Sequence, residues 1–236
     1  YWDDSDDNSD GDKYNDTNDG TSTGNDEGFD PIGEYNPYFQ GTYDGDNFTI
    51  NSLTINRSGS GFVGLFGYAL YGSTVKNLGL TNLNVNGGGE TGGIVGRADF
   101  CTIENCYSTG SISGTSQVGG IAGYQSNAIT KNSYSTASVS GSSHVGGLLG
   151  RSYDTNKIQY CYSAGSVSGT SDIGGLVGSN YASQVTSSYW DIQASGQESS
   201  VVGTGKTTVQ MKTASTFTST GWDFEVETTN GSNNNW

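Results

Sequence analysis

The sequence predicts an all-β protein, a right-handed parallel β-helix of about six coils, and three observations carry that prediction. Gly, Ser, Thr and Asn number 38, 33, 26 and 21, half of the 236 residues, while hydrophobic residues reach only 31%. Helix interiors disfavour these four residue types, which excludes an ordinary helical or α/β globule. The chain nevertheless holds 27 aromatic residues and only 14% charged ones, the reverse of a disordered composition. The third observation is an internal repeat with a period near 27 residues.

The repeat is written in three blocks. Gly92-Gly93-Ile94-Val95-Gly96 returns at Gly119-Gly120-Ile121-Ala122-Gly123, Gly146-Gly147-Leu148-Leu149-Gly150 and Gly174-Gly175-Leu176-Val177-Gly178, at spacings of 27, 27 and 28. A looser copy, Val63-Gly64-Leu65-Phe66-Gly67, precedes the first by 29 residues. Between them, in register, lie Asn105-Cys106-Tyr107-Ser108, Asn132-Ser133-Tyr134-Ser135, Tyr160-Cys161-Tyr162-Ser163 and Ser187-Ser188-Tyr189-Trp190. The third block reads Ser111-Ile112-Ser113-Gly114, Ser138-Val139-Ser140-Gly141 and Ser166-Val167-Ser168-Gly169. Short apolar stretches between Gly, Ser and Thr turns read as three strands per repeat, one coil of a solenoid. Such coils bury their faces only against neighbouring coils. A narrow interior needs few large side chains, Gly serves the corners, and equivalent residues stack about 4.8 Å apart into ladders.

Taken in order, residues 1–28 form an acidic, loop-like segment, residues 29–190 the coils, and residues 191–236 a C-terminal cap and tail with a short helix near 208–214. Caps are required because an open coil end is an exposed strand edge.

The Gly-Gly-aliphatic block followed by the Asn-Cys-Tyr-Ser block resembles the GLUG repeats of bacterial secreted and surface proteins. The flanks agree: Asp30-Pro31-Ile32-Gly33 through Gly41-Thr42-Tyr43-Asp44-Gly45 and Leu53-Thr54-Ile55 look like the family's entry coil. Tyr189-Trp190-Asp191, Ser195-Gly196-Gln197, Gly203-Thr204-Gly205-Lys206-Thr207-Thr208 and Gly221-Trp222-Asp223-Phe224 look like its closing segment. Over residues 29–225 the resemblance implies a β-helix of extracellular, adhesin-like proteins, some fused to proteases, and it brings no catalytic motif.

Net charge is −15, and residues 1–30 carry ten Asp, one Glu and one Lys. A nucleic-acid partner would require a basic footprint and is excluded. No apolar run is long enough to span a membrane. The start at Tyr1-Trp2, without Met, suggests a processed or excised fragment. Cys101, Cys106 and Cys161 read as small buried thiols, being too few for a disulfide scaffold and wrongly spaced for zinc.

The sharpest chemical motif is Asp-rich. Asp4, Asp6, Asn8, Asp10, Asp12 and Asp16 alternate oxygen ligands with a Gly at position 11, which suits Ca²⁺. The twelfth position from Asp6 is Thr17 rather than Glu, so the expectation is an irregular calcium loop, with an acidic linker as the alternative. Gly203-Thr204-Gly205-Lys206-Thr207 fails as a phosphate loop because Ser200 stands where the first Gly is needed. Single His144 sits at a corner, and Asp99, Glu104, Asp154 and Asp172 are scattered, so no triad or carboxylate pair emerges. Arg97 and Arg151, two coils apart on one edge with Tyr124 between them, form the best basic-aromatic patch. Tyr107, Tyr134, Tyr162 and Tyr189 form a ladder whose direction the sequence leaves open.

The resulting expectation is a non-enzymatic extracellular or cell-surface protein, a structural or adhesive rod assembling head to tail into a filament, with Ca²⁺ held by the acidic segment. A polysaccharide or another cell-surface molecule is its ligand class. The alternatives are a monomeric adhesin fragment of a larger surface protein and a polysaccharide-active β-helix enzyme using Arg97 and Arg151.

Overall fold

The computed structural model describes residues 28–224. The six calcium-ligand candidates between Asp4 and Asp16 therefore lie outside the described residues. Within them, nearly the whole chain is wound into a parallel β-solenoid. Sheet I stacks Phe62–Val63, Glu90–Gly92, Ser116–Gly119, Ser143–Gly146 and Ser171–Gly174. Sheet II stacks Phe66–Leu70, Val95–Asp99, Ala122–Ser126, Leu149–Tyr153 and Val177–Asn180. The rest of each turn joins a 14-stranded sheet III, whose longest strands are Thr74–Gly87 and Thr102–Ser113.

The register is that of the repeat. Gly119 lies between Gly92 and Gly146, Ala122 between Val95 and Leu149, and Tyr134 between Tyr107 and Tyr162. Five strands in each of sheets I and II define five complete turns, against about six expected from spacing. The difference lies at the entry, where Thr42–Asp44, Thr49–Asn51 and Thr54–Arg57 pair only with sheet III.

Core side chains stack one per coil. Ile94, Ile121, Leu148 and Leu176 form one fully buried column, and Ile55, Val85, Ile112, Val139 and Val167 another. Burying such a side chain contributes about 1.5–3 kcal/mol, so a thin core suffices when each coil repeats it. Serines serve the interior as well. Ser108 Oγ donates to Gly120 O at 2.7 Å and Ser163 Oγ to Gly175 O at 2.5 Å, tying sheet III to the Gly-Gly turn. The three cysteines are free and buried. Cys106 and Cys161 share a ladder position with Ser133 and Ser188, and all four donate to the carbonyl two residues earlier. Burial pushes each thiol up to about 12, which leaves it unreactive.

One corner requires a left-handed backbone at every turn. Asn77, Asn105 and Asn132 occupy it with φ of 54°, 54° and 49°, a conformation that Asn tolerates better than most residues. Their amides chain upward, Asn105 donating to Asn77 at 2.9 Å and Asn132 to Asn105 at 3.2 Å.

Beyond the last coil, Trp190 covers Gly175, and Ser200 Oγ accepts from the backbone N–H groups of Leu176 and Val177. Short helices Ile192–Ser195, Thr208–Met211 and Ala214–Thr218 follow. Thr207 and Gln210 form a reciprocal capping box on the second of them. Phe217 and Trp222 pack with Tyr189 into a small second core. No described helix is long and apolar enough to cross a membrane.

Candidate functional site

Two aromatic systems run along the rod, and they differ in what they offer a ligand. The tyrosine ladder of sheet III points outward. Tyr107, Tyr134 and Tyr162 stack with centroids 5.1 and 4.7 Å apart and planes within 4°. The stack begins on Gly79, where a Cβ would lie 2.3 Å from the Tyr107 ring, and ends under Trp222. Its ring faces are spent on one another, so this ladder is structural and presents only ring edges.

Sheets I and II meet at an outer seam, and that seam holds the second system. The turn between them is so sharp that a Cβ on Gly123 would sit 2.3 Å from Thr91 N, and one on Gly150 2.4 Å from Val118 N. Side chains flanking the glycines therefore face one another across the seam. Sheet II presents Tyr68, Arg97, Tyr124, Arg151 and Ser179 on successive strands. Sheet I presents Phe62, Glu90, Gln117, His144 and Asp172. Phe62 stacks with Tyr68 at 5.4 Å, and Glu90 Oε1 accepts from Arg97 Nη1 at 3.1 Å.

Arg97 is the centre of the upper seam. Its Nε donates to Asp99 Oδ2 at 2.8 Å, and its guanidinium lies 4.6 Å from the Tyr124 ring centroid and 5.5 Å from that of Tyr68. Tyr68 donates to the same Asp99 oxygen at 2.8 Å. Burial pushes the Glu90 carboxyl up to about 7, against the pull of Arg97. Burial, then Asp99, holds the Tyr68 hydroxyl well above the usual phenol range. Lower down, Arg151 lies over Tyr153 at 5.2 Å, and Tyr153 stacks on Tyr181 at 5.2 Å. His144 Nε2 approaches Asp172 Oδ2 at 3.6 Å. At the entry end, a cavity of about 260 Å³ is lined by Asp30, Glu34, Tyr35, Arg57 and Phe62 among others.

The patch predicted from Arg97, Tyr124 and Arg151 is thus brought together on one sheet. Its partners Glu90, Asp99 and Tyr68 were missed. Glu90 is seven residues before Arg97, across the Gly-Gly turn, and the same interval separates Gln117 from Tyr124, His144 from Arg151 and Asp172 from Ser179. That interval is the sequence signal for the seam. The Arg97 guanidinium is engaged by two carboxylates, an arrangement that positions charge without freeing a base. Among the described residues no group of three His, Cys, Asp or Glu side chains could hold a metal.

Residues 87–113 and 114–140 match the family model of the GLUG motif, one coil each. The chain carries GLUG repeats. Halomucin of Haloquadratum walsbyi is 37% identical over 89 residues, which is 36% of this chain and 1% of that much longer protein. The chain is also similar to a crystal structure from Bacteroides ovatus described as a candidate immunoglobulin A1 protease. The two align with a TM-score of 0.53 and 27% identity over 62% of this chain and 50% of that one.

Proposed function

We propose that this chain is an extracellular or cell-surface structural and adhesive module, a stiff rod whose outer seam binds extended glycan. The observation that carries the reading is two pairs of exposed aromatics at the ends of the sheet II strands, one of them beside Arg151. Tyr71 and Phe100 stack at 6.0 Å, Tyr153 and Tyr181 at 5.2 Å, and Tyr181 is 62% exposed. Aromatic faces beside hydrogen-bonding groups suit sugar rings, which are apolar on one face and polar at the rim. The similarity to halomucin and the GLUG repeats support a surface location. Affinity electrophoresis against a panel of polysaccharides tests the reading. Retention by at least one polymer is expected, with loss of about tenfold in affinity in a Tyr153→Ala/Tyr181→Ala variant. A wild type that passes every polymer unretarded would refute it.

Head-to-tail assembly is a second reading, favoured by sheet I. Its terminal strands, Phe62–Val63 and Ser171–Gly174, have no further strand beyond them among the described residues. The Trp190 and Ser200 cap works against stacking through sheet II, so any filament would pair through sheet I and the segments outside it. Ca²⁺ on Asp4, Asp6, Asn8, Asp10, Asp12 and Asp16 is proposed to fasten that contact. Negative-stain imaging with and without chelator separates the outcomes. Filaments that shorten on chelation support both ideas, filaments indifferent to chelator remove the calcium, and discrete particles of 24.6 kDa remove the filament.

A further inference from the structure

The seam contains two arginines in quite different states. Arg97 is neutralised by Glu90 and Asp99. Arg57, at the entry cavity, pairs with Asp30 at 3.5 Å. Arg151 has no carboxylate within ion-pair distance among the described residues. The acids of the seam are otherwise engaged: Glu90, which feels the Arg151 charge from a distance, pairs with Arg97, Asp172 faces His144, and Asp154 accepts from Ser126 Oγ at 3.1 Å. The Tyr153 ring fixes the guanidinium from one side, so the cation is held in place before any ligand arrives. On the same rung, His144 Nδ1 has no protein partner, and neither does Gln117 Oε1 on the rung above. Glu90 Oε2 and Asp99 Oδ1 share this state, and buried polar atoms without a protein partner are completed by ordered water or a bound ion.

We propose that the His144–Arg151 rung binds the carboxylate of an acidic sugar in a polysaccharide lying along the seam, with Tyr181 as the stacking platform for the neighbouring sugar. The proposal rests on the glycan-binding reading above and specifies its ligand as a uronate-bearing polymer. A planar guanidinium matches a carboxylate in two parallel hydrogen bonds, which an ammonium cannot reproduce. Coils repeat about every 4.8 Å along the rod, a step comparable with one pyranose, so consecutive rungs can meet consecutive sugars. A chain of net charge −15 repels polyanions in general. Selective retention of one therefore requires a local, oriented cation, and Arg151 is placed to be it.

The test compares polygalacturonate, its fully methyl-esterified form and dextran in calcium-free buffer, using the full chain. Wild type is expected to bind polygalacturonate about tenfold more tightly than the ester. Arg151→Ala should lose that preference while keeping whatever affinity the ester shows, and Arg151→Lys should recover only part of it. Equal binding of acid and ester, or an Arg151→Ala variant indistinguishable from wild type, overturns the proposal while leaving glycan binding intact. Binding to neither polymer but to dextran does the same; binding to none of the three overturns this proposal, and the wider polysaccharide panel then decides glycan binding itself. Unchanged melting temperatures for the two Arg151 variants establish that the effect is local.

Discussion

Arg97→Ala is expected to destabilise the solenoid by about 3 kcal/mol at pH 8, and by clearly less at pH 5. Removing one partner of a buried ion pair leaves an uncompensated charge, at a cost of roughly 3–5 kcal/mol. The low end applies because the guanidinium is 29% exposed, whereas the Glu90 and Asp99 side chains are 12% and 8% exposed. The pH dependence follows from Glu90. Burial raises its carboxyl from 4.5 to about 7 in the folded chain, so the folded state holds a proton there that the unfolded chain has already released. The stabilisation from that proton is complete below pH 4.5 and is lost as pH rises through 7, a loss on the order of 3 kcal/mol for wild type. Arg97 opposes the rise, so its removal deepens the loss and moves it to higher pH. Glu90→Gln should flatten the profile between pH 4.5 and 7. Urea unfolding of the three proteins at pH 5 and pH 8 checks this, and an Arg97→Ala penalty equal at both values would sink it.

The same cluster shows where sequence reading reaches and where it stops. Equivalent residues 27 or 28 apart had to become neighbours once the coil was assumed, so the stacking of Tyr107 on Tyr134 and of Arg97 beside Tyr124 was legible. That follows from a parallel register alone. The outward direction of the tyrosine ladder was not, because it depends on which of Cys106 and Ser108 also turn inward, and both do. The pairing of Glu90 with Arg97 was missed for a different reason. It crosses the Gly-Gly turn rather than following the repeat period, and only the sharpness of that turn brings the two side chains to 3.1 Å. The scattered acids were likewise read by their stacking along the rod, although Asp99 acts within its own coil, two residues from Arg97. Ladders are thus readable from spacing, and cross-seam contacts need the turn geometry.

That geometry makes Gly123 the position where one methyl group should do most damage. Gly123→Ala is expected to cost 3 kcal/mol or more, about the upper limit for overpacking. A Cβ there would lie 2.3 Å from Thr91 N and 2.6 Å from Gln117 O, both backbone atoms of sheet I, so no side-chain rotation can relieve the clash. Gly150 stands against Gln117 and Val118 in the same way, and Gly178 against His144 and Val145. The contact joins one coil to the one before it, and a solenoid's stability is a sum of such nearest-neighbour terms. Opening it in the middle of the rod should uncouple the two halves, lowering the urea m-value as well as the midpoint. Gly79→Ala meets the Tyr107 ring instead, at 2.3 Å, and a ring can swing outward, so a smaller loss and a disrupted tyrosine stack are expected. Gly59→Ala is the control, with nothing within 4 Å of the added carbon and an expected change within about 0.5 kcal/mol. Equal stability of the Gly123→Ala and Gly59→Ala proteins would mean that sheets I and II are not pressed together at the seam, and the opposed side chains on which ligand binding depends would lose their placement with it.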